Sequence, residues 1–409
     1  MPLDLTLDCH PEDKKPSFRQ LLVVGNGLDL YCGLASGFSD FFEPRRKLLR
    51  CVEFKAAHWV QGWEDYLANN GLTAWDIILE VNSYNKPDPK NWNDIETTIA
   101  DWITPIEHIR DEMSFVTENK HLKGICSALA GSDGLYRPSD RYSEGAIARF
   151  LIYVYGSITW NHEVLLEKLL DQLHKLEAEF STYLRDKIDT TEGYPEKLSR
   201  VLHELVFDEI SEIDKYALEH SILSFNYTIA NRFLSDEGFG AIDHYVNIHG
   251  NIHNETVIGI DATGRMSDSG VAQFTKTYRV MGIGSPAVEG LVYSGRGLNS
   301  GPRTALMKFF GHSLSEADYS YFQALFDTVD LYGEETRLVF YYAPHGAADF
   351  DTACAHSKKH VMDGVIKLLM RYGETLDNVD HGKNLVHKLL LEGRLAVKLL
   401  PKSRDMWQD

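Results

Sequence analysis

Several polar residues stand at the ends of short apolar runs, where side chains can reach a bound molecule. His249, in Asn-Ile-His-Gly, is the best candidate base. Histidine titrates at about 6.5 when unperturbed, so it can take a proton from water or a hydroxyl near neutral pH. Gly250 beside it leaves room for a ligand. Asn226, in Phe-Asn-Tyr-Thr with Tyr227 after it, carries a donor and an acceptor and can hold an amide or an ordered water. His312 and Ser313 can bond a phosphate or a ribose, and Asp318 follows closely. Each has an ordinary alternative. A lone histidine is more often a core residue satisfied by a carbonyl, Asn226 suits a strand-end turn, and Ser313 suits a helix cap.

The stretch QLLVVGNGLDLYCGLASGF, residues 20–38, has the order strand, tight glycine turn, helix. Glycine at 25 and 27 tolerates positive φ and lets a ligand approach the backbone. A helix start behind it offers N–H groups and a positive dipole end to phosphate. Leu30 stands where the dinucleotide fingerprint wants its third glycine. Asp29 would repel a pyrophosphate at close range but can accept from ribose hydroxyls.

These residues need strands to position them. Besides the run at Gln20, strand-like runs fall at Ser221–Phe225, His244–Ile248, Thr256–Ile260, Met307–Phe310 and Arg337–Tyr342. Each is short and apolar, as buried parallel strands are. Helices fit at 229–236, 315–330 and 358–372. The leucine stripe from Leu165 to Leu184 predicts a helix over 159–188, and 112–145 reads as loops. The fold expected is α/β, a Rossmann-like parallel sheet with a large helical insertion. A leader occupies 1–19, a split nucleotide-binding domain 20–50 and 221–345, a mainly helical insertion 51–220, and a helical segment 346–409. In such sheets ligands bind outside the carboxyl ends of the strands.

Composition narrows the classes. The chain has 409 residues, 44% hydrophobic and 25% charged, and no apolar run of membrane-spanning length. The polar N-terminus has no apolar signal core, and five scattered cysteines fit reduced thiols, so a cytoplasmic location is expected. A formal charge of −19 argues against a general nucleic-acid binder. No metal site is expected: His244, His249 and His253 lack ligand spacing, and Cys354, His356 and His360 have no second cysteine pair. Trp59, Trp63, Trp75, Trp92 and Trp102 concentrate in the insertion, as core or as a contact for another copy or a phage protein.

With these segments assembled, the chain resembles the AbiH-like proteins of bacteria and phages, linked to abortive phage infection. The matching pieces are LLVVGNGLDL with GL at 21–34, Trp92-x-Asp94-x-Glu96, LEAEFSTYL at 176–184, FNYT at 225–228, NIHG at 247–250 and FGHSLSEADYSYF at 310–322. A more distant resemblance is to Sir2-type NAD-binding domains, through glycines 25, 27 and 33, FNYT, NIHG and GHSLSEAD. That resemblance implies Asn226 and His249 as the catalytic pair. It implies Gly25, Asn26, Gly27, Asp29, Gly33, Tyr227, Gly250, His312, Ser313 and Asp318 around the nucleotide. The deacylase Pro-Asp-Phe-Arg is replaced by Ala35-Ser36-Gly37-Phe38 and the four-cysteine zinc site is absent, so deacylation is not expected.

The reading is a defence protein that binds NAD or a related nucleotide and hydrolyses the nicotinamide–ribose bond, with no further cofactor. A phage-derived trigger and self-association are its expected partners. The alternatives are a non-catalytic nucleotide sensor that signals to a partner, and a nuclease-type toxin.

Overall fold

The computed structural model describes residues 18–50, 67–85, 95–101, 103, 162–210, 218–228, 242–261, 269–283, 290–293, 303–314, 318–347 and 349–403. Six strands form one all-parallel sheet: β1 (Phe18–Val24), β2 (Leu218–Ser224), β3 (Ile242–Asn247), β4 (Arg303–Phe310), β5 (Arg337–Tyr342) and β6 (Leu395–Leu399). The order β3-β2-β1-β4-β5-β6 reverses direction at β1 and β4, which is the Rossmann-type arrangement. Val24 pairs with Ser224 on one side and Phe310 on the other, and Ser224 pairs with Asn247. The carboxyl ends of four strands therefore lie side by side.

The apolar run of β1 is buried on both faces, which is why it is continuous rather than alternating. Leu22 and Val24 enter a core shared with the helices α1 (Gly27–Tyr31), α2 (Phe38–Arg50), α3 (Ala74–Asn85), α4 (His162–Thr190) and α5 (Tyr194–Phe207). Leu21 and Val23 enter a second core. That core joins the strands to α8 (Tyr319–Thr328), α9 (Phe350–Glu374) and α10 (Val379–Leu391). Two short helices, α6 (Ser269–Ala272) and α7 (Lys276–Gly282), lie between β3 and β4 in the chain. Caps fix several ends: Asp349 accepts from Thr352 N at the start of α9, and Asn378 from Asp380 N and His381 N at the start of α10.

The last carbonyls of α5 are met by side chains from the sheet. Lys308 Nζ donates to Leu205 O at 2.8 Å, Val206 O at 3.0 Å and Asp208 O at 2.5 Å, and Gln20 Nε2 donates to Val206 O at 2.8 Å. A cation at a helix C-terminus suits the dipole. Burial lowers the Lys308 ammonium to about 7.

Two elements differ from the sequence reading. Thr256–Ile260 is not a strand; it makes only single bridges, Gly250 to Thr256 and Ile260 to Thr275. Its apolar residues Val257, Ile258 and Ile260 are buried, the last two in the core shared with α1 to α5. Conversely, β6 lies inside the stretch expected to be helical, and it pairs with β5 from Leu338↔Leu395 to Tyr342↔Leu399. A five-residue edge strand behind two long helices has too short a pattern to stand out. Trp75 is core, its Nε1 donating to Leu169 O at 2.9 Å. The other four tryptophans, the leader up to residue 17, the 112–145 loops and the 229–236 helix lie outside the described residues.

Candidate functional site

The glycine turn after β1 is a packing joint. A Cβ on Gly25 would stand 2.6 Å from His312 Cα, and one on Gly27 would stand 2.7 Å from Gly311 Cα. Gly311 itself has φ +72° and would place a Cβ 2.4 Å from Leu28 N. Only glycine allows the β1 and β4 loops to touch this closely. Gly27 N donates to Gly311 O at 2.7 Å, Gly25 N to Phe310 O at 3.1 Å, and Leu28 N to Gly25 O at 2.9 Å. The N–H groups of Gly25, Gly27 and Leu28 thus already have partners, and α1 is only five residues long. Gly33, at φ +91°, ends α1, with Leu34 N bonded to Asp29 O at 2.9 Å. The Asn26 side chain accepts from Ser36 Oγ at 2.7 Å.

Asp29 is fully buried. Its Oδ1 accepts from Tyr194 Oη and its Oδ2 from Thr228 Oγ1, each at 2.9 Å, and the Asn226 side chain also bonds it. Burial raises its carboxyl to about 6 against these bonds. Asp29 therefore ties α1, α5 and the loop after β2 together and orients Asn226. Asn226 is 3% exposed, and its Oδ1 has no partner among the described residues. Tyr227 is held by Val257 O at 2.9 Å and by the Phe180 ring.

A second group gathers at the ends of β3 and β4. Asp318, at the N-cap of α8, is its centre. Lys276 Nζ lies 2.6 Å from Asp318 Oδ1 and 2.5 Å from Glu96 Oε1. His312 Nδ1 accepts from Leu314 N at 2.9 Å, which puts the ring proton on Nε2, 3.1 Å from Asp318 Oδ2. His249 Nε2 stands 3.6 Å from Asp318 Oδ1 and has no hydrogen-bond partner among the described residues. Its ring packs against Phe225 and Tyr321.

The charges follow from these neighbours. Burial, reinforced by Lys276, pushes the His249 imidazole down to about 3, so it is neutral at physiological pH. Burial opposes ionisation of Asp318, but Lys276 and His312 override it and hold the carboxyl below its usual range. Burial also opposes a charged Lys276, yet Asp318 and Glu96 raise it above its ordinary value. Glu96 is pushed up by burial. The group is thus an ammonium between the Asp318 carboxylate and a Glu96 carboxyl raised to about 7, with a neutral histidine open on one nitrogen.

The structure brings His249, His312 and Asp318 together, and sets Asn226 and Asp29 in the other group. The two meet through the backbone: Asn247 Nδ2 donates to Asn226 O at 2.7 Å, and Ile248 N to Ser224 O at 2.9 Å. Ser313 is exposed, and its carbonyl lies near Gly364 of α9. The side of Gly250 that a Cβ would occupy is filled, because one would fall 1.8 Å from Glu255 O.

The family profile described as Bacteriophage abortive infection AbiH matches residues 21–342. The chain belongs to the AbiH family. Its role is accordingly in abortive infection by bacteriophage. The match in this AbiH chain spans both polar groups and ends with β5. No curated protein and no solved structure matches it.

Sequence reasoning about this AbiH chain missed Lys276, Arg279 and Glu177. Arg279 makes a two-pronged pair with Glu177 at 2.5 and 2.6 Å. The available signal was the three-residue spacing of Lys276 and Arg279, which puts two cations on one helix face. Among the described residues no three His, Cys, Asp or Glu side chains are grouped to hold a metal, and no helix is long and apolar enough to cross a membrane.

Proposed function

We propose that this AbiH chain acts in abortive infection by hydrolysing the nicotinamide–ribose bond of NAD or a closely related nucleotide. The observation that carries the reading is the free, neutral Nε2 of His249 beside the Asp318 carboxylate, which Lys276 links to Glu96. A gap of 3.6 Å is too long for a direct hydrogen bond, which leaves Nε2 free to accept from a bound water or hydroxyl. Breaking an N-glycosidic bond builds positive charge on the sugar, and fixed carboxylates stabilise such charge.

In the reaction, the bond from nicotinamide to the anomeric carbon breaks and the base leaves as neutral nicotinamide. Water adds to the oxocarbenium-like carbon, and His249 accepts its proton late, when attack has made that water acidic. Asn226 Oδ1 receives a donor from the substrate amide or water. Phosphates are not held by the Gly25 and Gly27 N–H groups in this reading, since those are bonded to Phe310 O and Gly311 O.

Purified full-length protein incubated with NAD should release nicotinamide, and His249→Ala and Asn226→Ala should each abolish release while retaining the native circular dichroism spectrum. No nicotinamide release under any condition, including with phage lysate, refutes the hydrolase. The burial of both orphaned atoms also suits a sensor that holds the nucleotide without turnover. A thermal shift on adding NAD without product would select that reading.

A further inference from the structure

Helix α9 carries one row of side chains that its own chain leaves uncovered. Residues Lys358, Met362, Ile366, Met370 and Glu374 follow one another at i, i+4 spacing, and all five are exposed. The three central residues are apolar, at 41%, 42% and 60% exposure. Such a row forms one continuous ridge on a helix. The opposite face, with Val365, Leu368, Leu369 and Tyr372, is buried in the second core.

The row is symmetric about Ile366. Four residues away on either side stands a methionine. Eight residues away stand a lysine towards the N-terminus and a glutamate towards the C-terminus. Neither Lys358 nor Glu374 has an ion-pair partner among the described residues. When a second copy of α9 is laid antiparallel across the first on a two-fold axis through Ile366, the ridge meets itself. Ile366 then packs on Ile366, Met362 on Met370, and Lys358 faces Glu374 at both ends. Interlocking of i±4 ridges, the commonest helix-packing class, brings those two rows alongside each other. Residue i opposing j while j opposes i is the signature of an isologous contact. Methionine side chains adapt readily to such a surface.

We infer that two copies of this chain associate through α9, in an antiparallel pair centred on Ile366. Helix α9 nears the second group at Gly364, next to Leu314, and at Arg371, which lies over the Tyr319 ring. Three apolar side chains a copy make a small interface, so the association is of the weak, concentration-dependent kind.

Sedimentation equilibrium of the full chain over a concentration series tests it. The expected result is a mass rising from one chain to two. Ile366→Glu should raise the dissociation midpoint at least about tenfold. Lys358→Glu and Glu374→Lys should each weaken the dimer, and the two together should restore it, because the swapped charges again face each other. A single-chain mass at every concentration, a dimer indifferent to Ile366→Glu, or a double variant no better than the single ones overturns the inference. All these positions are exposed, and an unchanged circular dichroism spectrum separates lost association from lost fold.

Discussion

Lys276 is the cation that makes the second polar group tenable, and replacing it with methionine tests that reasoning. Its ammonium lies 2.5 Å from Glu96 and 2.6 Å from Asp318. With an effective dielectric of 20, each contact has a gross attraction of about 6 kcal/mol. Most of that offsets the cost of taking the three charges out of water, and removing one member of a buried ion cluster typically costs about 3–5 kcal/mol. Lys276→Met should lose that much stability at pH 7 in urea unfolding followed by circular dichroism. The loss should shrink on acidification. Glu96 is raised to about 7 in the wild type too, whereas Asp318 is held low chiefly by the ammonium; without it Asp318 keeps its proton in the folded state above its unfolded pKa, so the variant gains on wild type as pH falls from 7 to 5. Lys276→Met combined with Asp318→Asn should recover much of the stability, and it remains measurable if the single variant does not accumulate. A loss under about 1 kcal/mol, or a loss independent of pH, refutes the account of a charge-balanced cluster.

Three further outcomes follow from other parts of the fold. Gly311→Ala should destabilise by about 3 kcal/mol or more, because its Cβ meets the Leu28 backbone, whereas Gly33→Ala, with open space but positive φ, should cost about 1–2 kcal/mol; equilibrium unfolding compares them. His249, at about 3 when folded, takes up its proton near 6.5 only when unfolded. Its contribution to stability is therefore full above pH 6.5 and lost as pH falls towards 3, by about 2 kcal/mol at pH 5, so His249→Asn should show a correspondingly flatter acid limb in denaturation midpoints. Lys308→Met should cost about 1–3 kcal/mol by stripping donors from the last carbonyls of α5. Wild type should widen its lead between pH 7 and 10, where the unfolded state alone keeps the Lys308 proton, as paired unfolding curves would show.

The strands that carry the polar loops were legible because they are buried on both faces. Runs such as Leu21–Val24 and Leu338–Tyr341 have no polar interruption. Thr256–Ile260 has the same appearance, and only the absence of a neighbouring strand distinguishes it. His249, His312 and Asp318 were legible as a set because parallel strands must end side by side. The glycine turn was legible as a close approach, but the approaching partner is the chain's own Gly311, more than 280 residues away. Lys276 was not legible, since a lysine in a short helix reads as a surface residue until its carboxylates are known to be buried. The separation of Asn226 from His249 depends on which way each side chain leaves its strand end, which spacing does not determine.

The position of β1 has a consequence for how the chain is made. Among the described strands it is the first to leave the ribosome, yet its two neighbours, β2 and β4, begin about 200 and about 285 residues later. At a synthesis rate of about 5–20 residues per second, its two edges stay open for roughly ten seconds to a minute. During that time the apolar Leu21–Val24 segment is available to chaperones and to other nascent chains. Production of this protein should therefore be sensitive to translation speed and chaperone supply, independently of the stability of the finished sheet.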